Sequence, residues 1–203
     1  MPEQDMNTGK ENTTGAEEEK KGFTAKDFFE ILLYIGLVVL ISVLIVTFIG
    51  QRTIVDGSSM NPTLQNGDNL IVDKLSYRFG KPQRFDIIVF PYKYKENTNY
   101  IKRIIGLPGE TVQIDFDGNI YIDGQVLEED YGLETILNPG NAVEPITLGD
   151  DEYFVMGDNR NNSEDSRFSD VGPIKRSDII GKAWVRIYPF NRIHTLGHGY
   201  HGE

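Results

Sequence analysis

The chain has no cysteine, so a serine is the first candidate for a nucleophile. Ser59 follows a strand-like run and Gly57 and precedes Pro62, which places it on a turn where backbone N–H groups can face an oxyanion. Most serines at such a turn only shape the turn. The histidines all lie in the C-terminal tail, so a lysine is the remaining common base for a serine.

Lys102 lies in the strand-like segment 100–105, where side chains alternate between two faces. The alternation places Tyr100 and Ile104 on its face, and burial among such neighbours lowers the pKa of an amine. Arg103, on the other face, cannot act as a base because a guanidinium keeps its proton in proteins. The segment by itself also fits a lysine that pairs with a carboxylate or reaches water.

A polar loop over 157–167, dense in Asp, Asn, Ser and Arg, is the third candidate segment. Within it, Asp165 and Arg167 are able to form an ion pair, and the Ser163 hydroxyl is able to bond a buried amine. A calcium loop needs acidic residues at alternate positions, and Arg160 would oppose a cation there. We therefore expect neither a metal nor a cofactor.

Short runs rich in Val, Ile, Tyr and Phe predict a mostly β domain that positions these residues. We expect an antiparallel, sheet- or barrel-like domain over 51–190 with a small β extension at about 111–152, followed by a flexible tail over 191–203. The candidate strands are 52–56, 69–73, 86–90, 100–105, 111–116, 120–122, 153–156 and 179–187. No helical periodicity of useful length follows the N-terminal part of the chain.

Residues 31–49 form an uncharged apolar run with the length of a helix that crosses a bilayer. No small-x-small pair ends the run, which predicts a retained transmembrane anchor over 29–50 and not a cleaved signal peptide. More lysine and arginine precedes the run than follows it, so we expect a cytoplasmic N-terminus and a single-pass type II topology in the cell membrane. The polar residues 1–28 are expected to be a disordered cytoplasmic tail.

The formal net charge is −11, and no Lys or Arg lies between Arg103 and Arg160. A surface of this sign repels phosphate groups, which argues against nucleic acid as a partner. The acidic interval is expected to be a solvated face.

Four segments, in this order, resemble the bacterial signal peptidase I family. They are GSSMNPTL at 57–64, GDNLIVDK at 67–74, YIKRIIGLPGE at 100–110 and GDNRNNSEDSR at 157–167. The resemblance extends from Gln51 to about Pro189. The short chain with one anchor is similar to the Gram-positive-like branch of the family.

This resemblance implies a serine endopeptidase that uses a Ser/Lys dyad, with Ser59 as nucleophile and Lys102 as general base. It implies that Ser163 orients the lysine amine, and that Asp165 and Arg167 form a structural ion pair near the site.

The Ser59 N–H matches one oxyanion donor of the family. Some members carry a serine hydroxyl two positions before the nucleophile, where this chain has Gly57. Ser58 and a backbone N–H are therefore the two candidates for the second oxyanion donor.

The expected substrates are exported preproteins with small-x-small cleavage sites, cut at the outer surface of the bilayer by a monomer. We expect apolar residues near 52–56 and 85–90 to line the substrate pockets. Two alternatives are an inactive paralogue that binds preproteins and a self-cleaving Ser/Lys protease. The first should have lost Ser59 or Lys102, and the second needs a DNA-binding module where this chain has its apolar run.

Overall fold

The structure is a computed structural model that describes residues 24–48 and 50–197. The chain divides into two compact units, residues 1–41 and residues 42–203. Helix α1 comprises Ala25–Phe48, so it begins before the predicted anchor does, and the part of the predicted tail before residue 24 lies outside the described residues. Within the described part of the chain, no helix combines the length and apolarity of a membrane span.

Antiparallel β structure dominates the second unit. Among the described residues of this unit, the twelve strands and one short helix are β1 (Gly50–Ile54), β2 (Asn69–Asp73), α2 (Ser76–Phe79), β3 (Ile87–Pro91), β4 (Asn99–Gly106), β5 (Thr111–Ile114), β6 (Ile120–Ile122), β7 (Gln125–Val126), β8 (Ile146–Thr147), β9 (Glu152–Met156), β10 (Ile174–Lys175), β11 (Gly181–Tyr188) and β12 (His194–Thr195). The main sheet has the order β1-β2-β11-β3-β4-β9-β10, with β12 paired to β11, and the small sheet has the order β7-β6-β5-β8.

The main sheet is apolar on both faces, because alternate residues of its central strands pack into two different clusters. Ile87 and Val89 of β3 belong to one cluster, whereas Ile88 and Phe90 belong to the other. A third cluster joins residues of β4 and β9 to the small sheet. Side chains of β4 are consequently buried on both sides, which sets the environment of Lys102 and Arg103.

The mostly β, antiparallel fold predicted from the sequence is confirmed, and each of the eight predicted strands overlaps an observed strand. Four two-residue strands and the single-turn helix α2 carry no periodic signal and were missed. The first part of the tail that was predicted to be flexible over 191–203 contains a strand. There β12 pairs with β11 and Leu196 is buried in the first core cluster, while residues 198–203 lie outside the described chain.

Candidate active site

The turn that carries Ser59 follows β1 and is anchored to the first hydrophobic core cluster. Met60 and Leu64 are buried there, while Ser59 lines an open cavity. Gly57 has φ of +107°, a backbone conformation that residues with a Cβ rarely adopt. The turn therefore combines a glycine-dependent bend with buried apolar anchors, and together they fix the position of the serine.

Lys102 lies in β4 opposite Ile88 of β3, and only 3% of it is exposed. Its Nζ is 2.8 Å from Ser59 Oγ. Burial lowers the pKa of Lys102 to about 8, because water no longer stabilises the ammonium, although the carboxylates of Asp165 and Glu164 oppose the change. About a tenth of such an amine is neutral at pH 7 and able to accept a proton from the serine hydroxyl.

Arg103, the next residue of β4, is fully buried and makes a two-point ion pair with Asp158. Its Nε lies 2.9 Å from Oδ1 and its Nη2 2.7 Å from Oδ2. The Thr63 hydroxyl donates to the same carboxylate at 2.6 Å, and the guanidinium lies 3.7 Å from the centre of the Tyr131 ring. Asp158 and Thr63 were not identified from the sequence. The available sign was a cation on each face of one buried strand, because a buried cation needs a carboxylate nearby.

Hydrogen bonds from two asparagines tie the polar loop 157–167 to the serine turn. The backbone N–H of Asn159 donates to the Ser59 carbonyl at 3.0 Å, and its side chain donates to the Ser58 carbonyl at 3.1 Å. The Asn162 side chain donates to Ser58 Oγ at 3.0 Å. These bonds fix the loop against the turn, so the position of the nucleophile depends on both segments.

Gly157 is where the loop and the turn come closest. A Cβ added at this glycine would collide with Ser163 Oγ and with the Ser59 carbonyl oxygen. The Ser163 hydroxyl is buried there without a hydrogen-bond partner among the described residues. The structure thus places Ser163 beside the dyad but shows no hydrogen bond between it and Lys102. The need for glycine at position 157 could not be recognised before the loop and the turn were seen together.

Asp165 and Arg167 form the ion pair that the sequence suggested, and both are buried. Arg167 Nε lies 2.8 Å from Oδ1 and Nη2 lies 2.9 Å from Oδ2 of the carboxylate. Asp165 also accepts the Gly157 N–H at 3.1 Å, and Arg167 donates to the Arg160 carbonyl at 2.6 Å. The ion pair therefore bonds to Gly157 and Arg160 and holds the loop together next to the part that contacts the serine turn.

Two backbone groups near the nucleophile differ in their availability to an oxyanion. The Gly57 N–H donates to Asn66 Oδ1 at 2.9 Å and is occupied. The Ser59 N–H has no acceptor within the described part of the chain. The Ser58 hydroxyl accepts from Asn162 but still has its own hydrogen to donate.

The dyad opens into a cavity of about 740 Å³. One wall is formed by residues 53–60, which include most of the segment 52–56 that was expected to line the substrate pockets. The second wall is formed by residues 98–102 and by the loop around 161–171, and not by residues 85–90. The side chains of Ile87 to Phe90 in β3 are buried within the two main core clusters, so the expectation that apolar residues near 85–90 line the substrate pockets stays a prediction.

A model of the family described as "Signal peptidase, peptidase S26" matches residues 28–188. A signal peptidase I from Leptolyngbya laminosa is 45% identical over 170 residues, which cover 80% of this chain and 81% of that protein. A signal peptidase I P from Bacillus subtilis subsp. natto is 40% identical over 165 residues, covering 77% of this chain and 88% of the relative.

Among solved structures, a signal peptidase I from Enterococcus faecalis V583 is 38% identical to this chain. The match covers 51% of this chain and 97% of that one, with a TM-score of 0.42. By the family model and the relatives of known sequence, the chain belongs to the signal peptidase family, peptidase S26.

Proposed function

We propose that the chain is a signal peptidase I, a serine endopeptidase that removes N-terminal signal peptides from exported preproteins with Ser59 and Lys102 as its dyad. The observation that carries the assignment of the dyad is the 2.8 Å distance between Ser59 Oγ and the Nζ of a lysine that is 3% exposed. A serine hydroxyl is a weak nucleophile until a base accepts its proton. A buried amine in contact with it is such a base.

The reaction follows from this contact. Neutral Lys102 accepts the Ser59 proton as Oγ attacks the carbonyl carbon of the scissile peptide bond. The tetrahedral intermediate collapses when the C–N bond breaks and the Lys102 ammonium gives its proton to the leaving amine. Lys102 then accepts a proton from the water that attacks the carbonyl carbon of the acyl-enzyme ester. The C–O bond to Ser59 breaks, Lys102 returns the proton to Ser59 Oγ, and the signal peptide leaves with a free carboxylate.

The negative oxygen of each tetrahedral intermediate needs hydrogen-bond donors. The free N–H of Ser59 is the first donor in this proposal. The Ser58 hydroxyl, held by Asn162 at 3.0 Å, is the candidate for the second, since the Gly57 N–H is occupied by Asn66. Ser163, whose buried hydroxyl has no partner among the described residues, is the candidate to orient the Lys102 amine.

The substrate class is a preprotein with small side chains at the positions that enter the cavity, in the small-x-small pattern. We further propose that the apolar run 31–49 anchors the chain as a single-pass type II protein of the cell membrane, with the cytoplasmic side at its lysine-rich N-terminal flank. An anchor linked by only a short stretch of chain to Ser59 raises the effective concentration of substrates that are themselves bound to the bilayer. The proposed working form is a monomer.

The test is cleavage of a model preprotein by the full chain in detergent or liposomes. We expect Ser59→Ala and Lys102→Ala to lose cleavage by a factor of about 10³ or more, because each removes one half of the proton transfer. Lys102→Arg keeps the positive charge but cannot act as a base, so it should be equally inactive. Wild-type rates in either Lys102 variant would show that another group is the base.

A further inference from the structure

The loop 157–167 carries one carboxylate that the dyad mechanism leaves unused. Glu164 lies between Ser163 and the buried Asp165, is itself exposed, and lines the same cavity as Lys102. Its Oε2 accepts the Tyr100 hydroxyl at 2.8 Å. This bond joins the loop 157–167 to strand β4 on the side of the dyad that faces the cavity.

Tyr100 connects Glu164 to the base because it lies two residues before Lys102, on the same face of β4. The Lys102 Nζ is 4.9 Å from the centre of the Tyr100 ring. The ring also stacks on Tyr92, at 4.4 Å between centroids and 9° between planes. The stacking fixes the Tyr100 ring, and its hydroxyl holds the Glu164 carboxylate at the cavity that Lys102 also lines.

The other charged groups around Lys102 belong to structural ion pairs. Asp165 pairs with Arg167, and Asp158 pairs with Arg103 on the far side of β4. Facing the amine from neighbouring segments are the Ser59 hydroxyl and, from β3, the apolar Ile88. Among the groups whose charge acts most strongly on Lys102, Glu164 alone is exposed and free of an ion pair, so it can be altered without breaking a buried pair.

From this geometry we propose that Glu164, held by the Tyr100 hydroxyl, is a positioning residue that sets the pH at which the enzyme becomes active. The inference rests on the proposed role of Lys102 as base. A carboxylate near the amine stabilises the ammonium and keeps the base in its inactive, protonated form to a higher pH. The burial of Lys102 acts in the opposite direction, and Glu164 is one of the charges that oppose it.

The experiment is the pH dependence of kcat/KM for preprotein cleavage by the full chain, which reports the ionisation of the free enzyme. Glu164→Gln keeps the size of the side chain and an oxygen that can accept from Tyr100, but removes the charge. We expect the midpoint of the acid limb to fall by about 0.5 pH, which is about a threefold gain in rate below the midpoint. The plateau at high pH should not change, and added salt should reduce the difference because Glu164 is exposed.

Two further variants distinguish the effect of the hydrogen bond between Tyr100 and Glu164 from a general effect of charge. Tyr100→Phe keeps the ring but releases Glu164, so it should shift the midpoint in the same direction by a smaller amount. It should add no shift in the Glu164→Gln background, because the two residues act as one unit. Glu144→Gln removes an exposed carboxylate in the β extension and is the matched charge control.

An unchanged midpoint in Glu164→Gln, or an equal shift in Glu144→Gln, overturns the inference. A uniform loss of rate at all pH values also overturns it, because that pattern reports a structural role. Failure of the proposed function is distinct from these outcomes. It would be seen as cleavage by Lys102→Ala, whereas failure of the inference alone leaves wild type active and Lys102→Ala inactive.

Discussion

Lys102 and Arg103 are consecutive and both buried, yet the fold treats their charges in opposite ways. Arg103 keeps its charge because two oxygens of Asp158 face it at 2.7 and 2.9 Å. Lys102 has no carboxylate within ion-pair distance among the described residues; its hydrogen-bond partner is the neutral hydroxyl of Ser59. The first arrangement stabilises a cation, and the second disfavours one, which is what a base requires.

The cost of burying Lys102 predicts a trade between stability and activity. A fall of its pKa from 10.5 to about 8 corresponds to about 3 kcal/mol of free energy of unfolding at pH 7. Lys102→Met removes this penalty, so we expect an inactive protein that is more stable by about 1–3 kcal/mol at pH 7. Denaturant unfolding of both proteins in the same detergent measures the difference.

The pH dependence of that difference has a definite sign. Between pH 8 and 10.5 the unfolded wild type binds more protons at this lysine than the folded protein, so wild-type stability rises across that window. The advantage of Lys102→Met should therefore shrink toward pH 10. The exposed lysine of Lys175→Met provides the control, which should show no such trend. An advantage that stayed constant with pH would contradict the lowered pKa.

At the scale of residues, the sequence indicated which groups carry chemistry but not which groups surround them. Ser59 and Lys102 were identified from a turn, an alternating strand and a family resemblance, and their catalytic roles remain predictions. Thr63 and Asp158 were missed because 95 residues separate the two partners of their hydrogen bond. A contact of that separation has no local pattern in the chain.

At the scale of elements, the loop 157–167 and the serine turn form a single unit. Gly157 is the point of closest approach, and the Asn159 N–H bonds the Ser59 carbonyl at 3.0 Å. The position of Ser59 Oγ therefore depends on a backbone contact that involves neither side chain of the dyad.

That contact makes Gly157→Ala a test of positioning. A methyl group at position 157 would push against the Ser59 carbonyl and Ser163 Oγ, and a displacement of about 1 Å at a reacting atom can cost about 10² in rate. We expect kcat to fall by about that factor while KM and the circular dichroism spectrum change little. Gly197→Ala is the matched control, because no atom of the described residues outside its own chain neighbours lies within 4 Å of its added Cβ. Equal kcat values for the two variants would refute the coupling of loop and turn.

Elements long enough to show alternation were predictable from sequence, and shorter ones were not. The eight predicted strands have apolar residues at every second position or continuous apolar runs, whereas β7, β8, β10 and β12 each have two residues. A two-residue strand exists only because a neighbour is already in place to pair with it. Strand β12 is an example, since it lies in the tail that was expected to be flexible and pairs with β11.

At the scale of the whole second unit, the acidic interval is more than a solvated face. Segment 129–141 of the β extension packs against the polar loop: Glu129 pairs with the buried Arg160 at 2.6 Å, and the Asn141 N–H donates to the Arg167 carbonyl at 2.7 Å. Gly140 makes this approach possible, since a Cβ there would lie 2.5 Å from the same carbonyl oxygen. The extension therefore supports the polar loop 157–167.

This support predicts that a change far from the dyad lowers both stability and activity. Glu129→Gln leaves the buried Arg160 without a charged partner, and we expect it to cost about 3 kcal/mol of free energy of unfolding. Glu128→Gln, at the exposed neighbouring position, should cost less than about 0.5 kcal/mol. Thermal unfolding and preprotein cleavage measure both effects. Similar melting temperatures for the two variants would show that the extension does not brace the loop.

The adjacency of two cations on β4 limits how this chain can change during evolution. A single residue inserted ahead of Lys102 would exchange the faces of lysine and arginine. The amine would then lie on the face of the strand where Asp158 is, and the cation on the face of Ser59 would be a guanidinium, which keeps its proton in proteins. The strand and both cations would survive, yet the amine would no longer lie beside the Ser59 hydroxyl. Relatives that keep activity can therefore differ by substitution near this point of the strand, but not by a one-residue insertion or deletion.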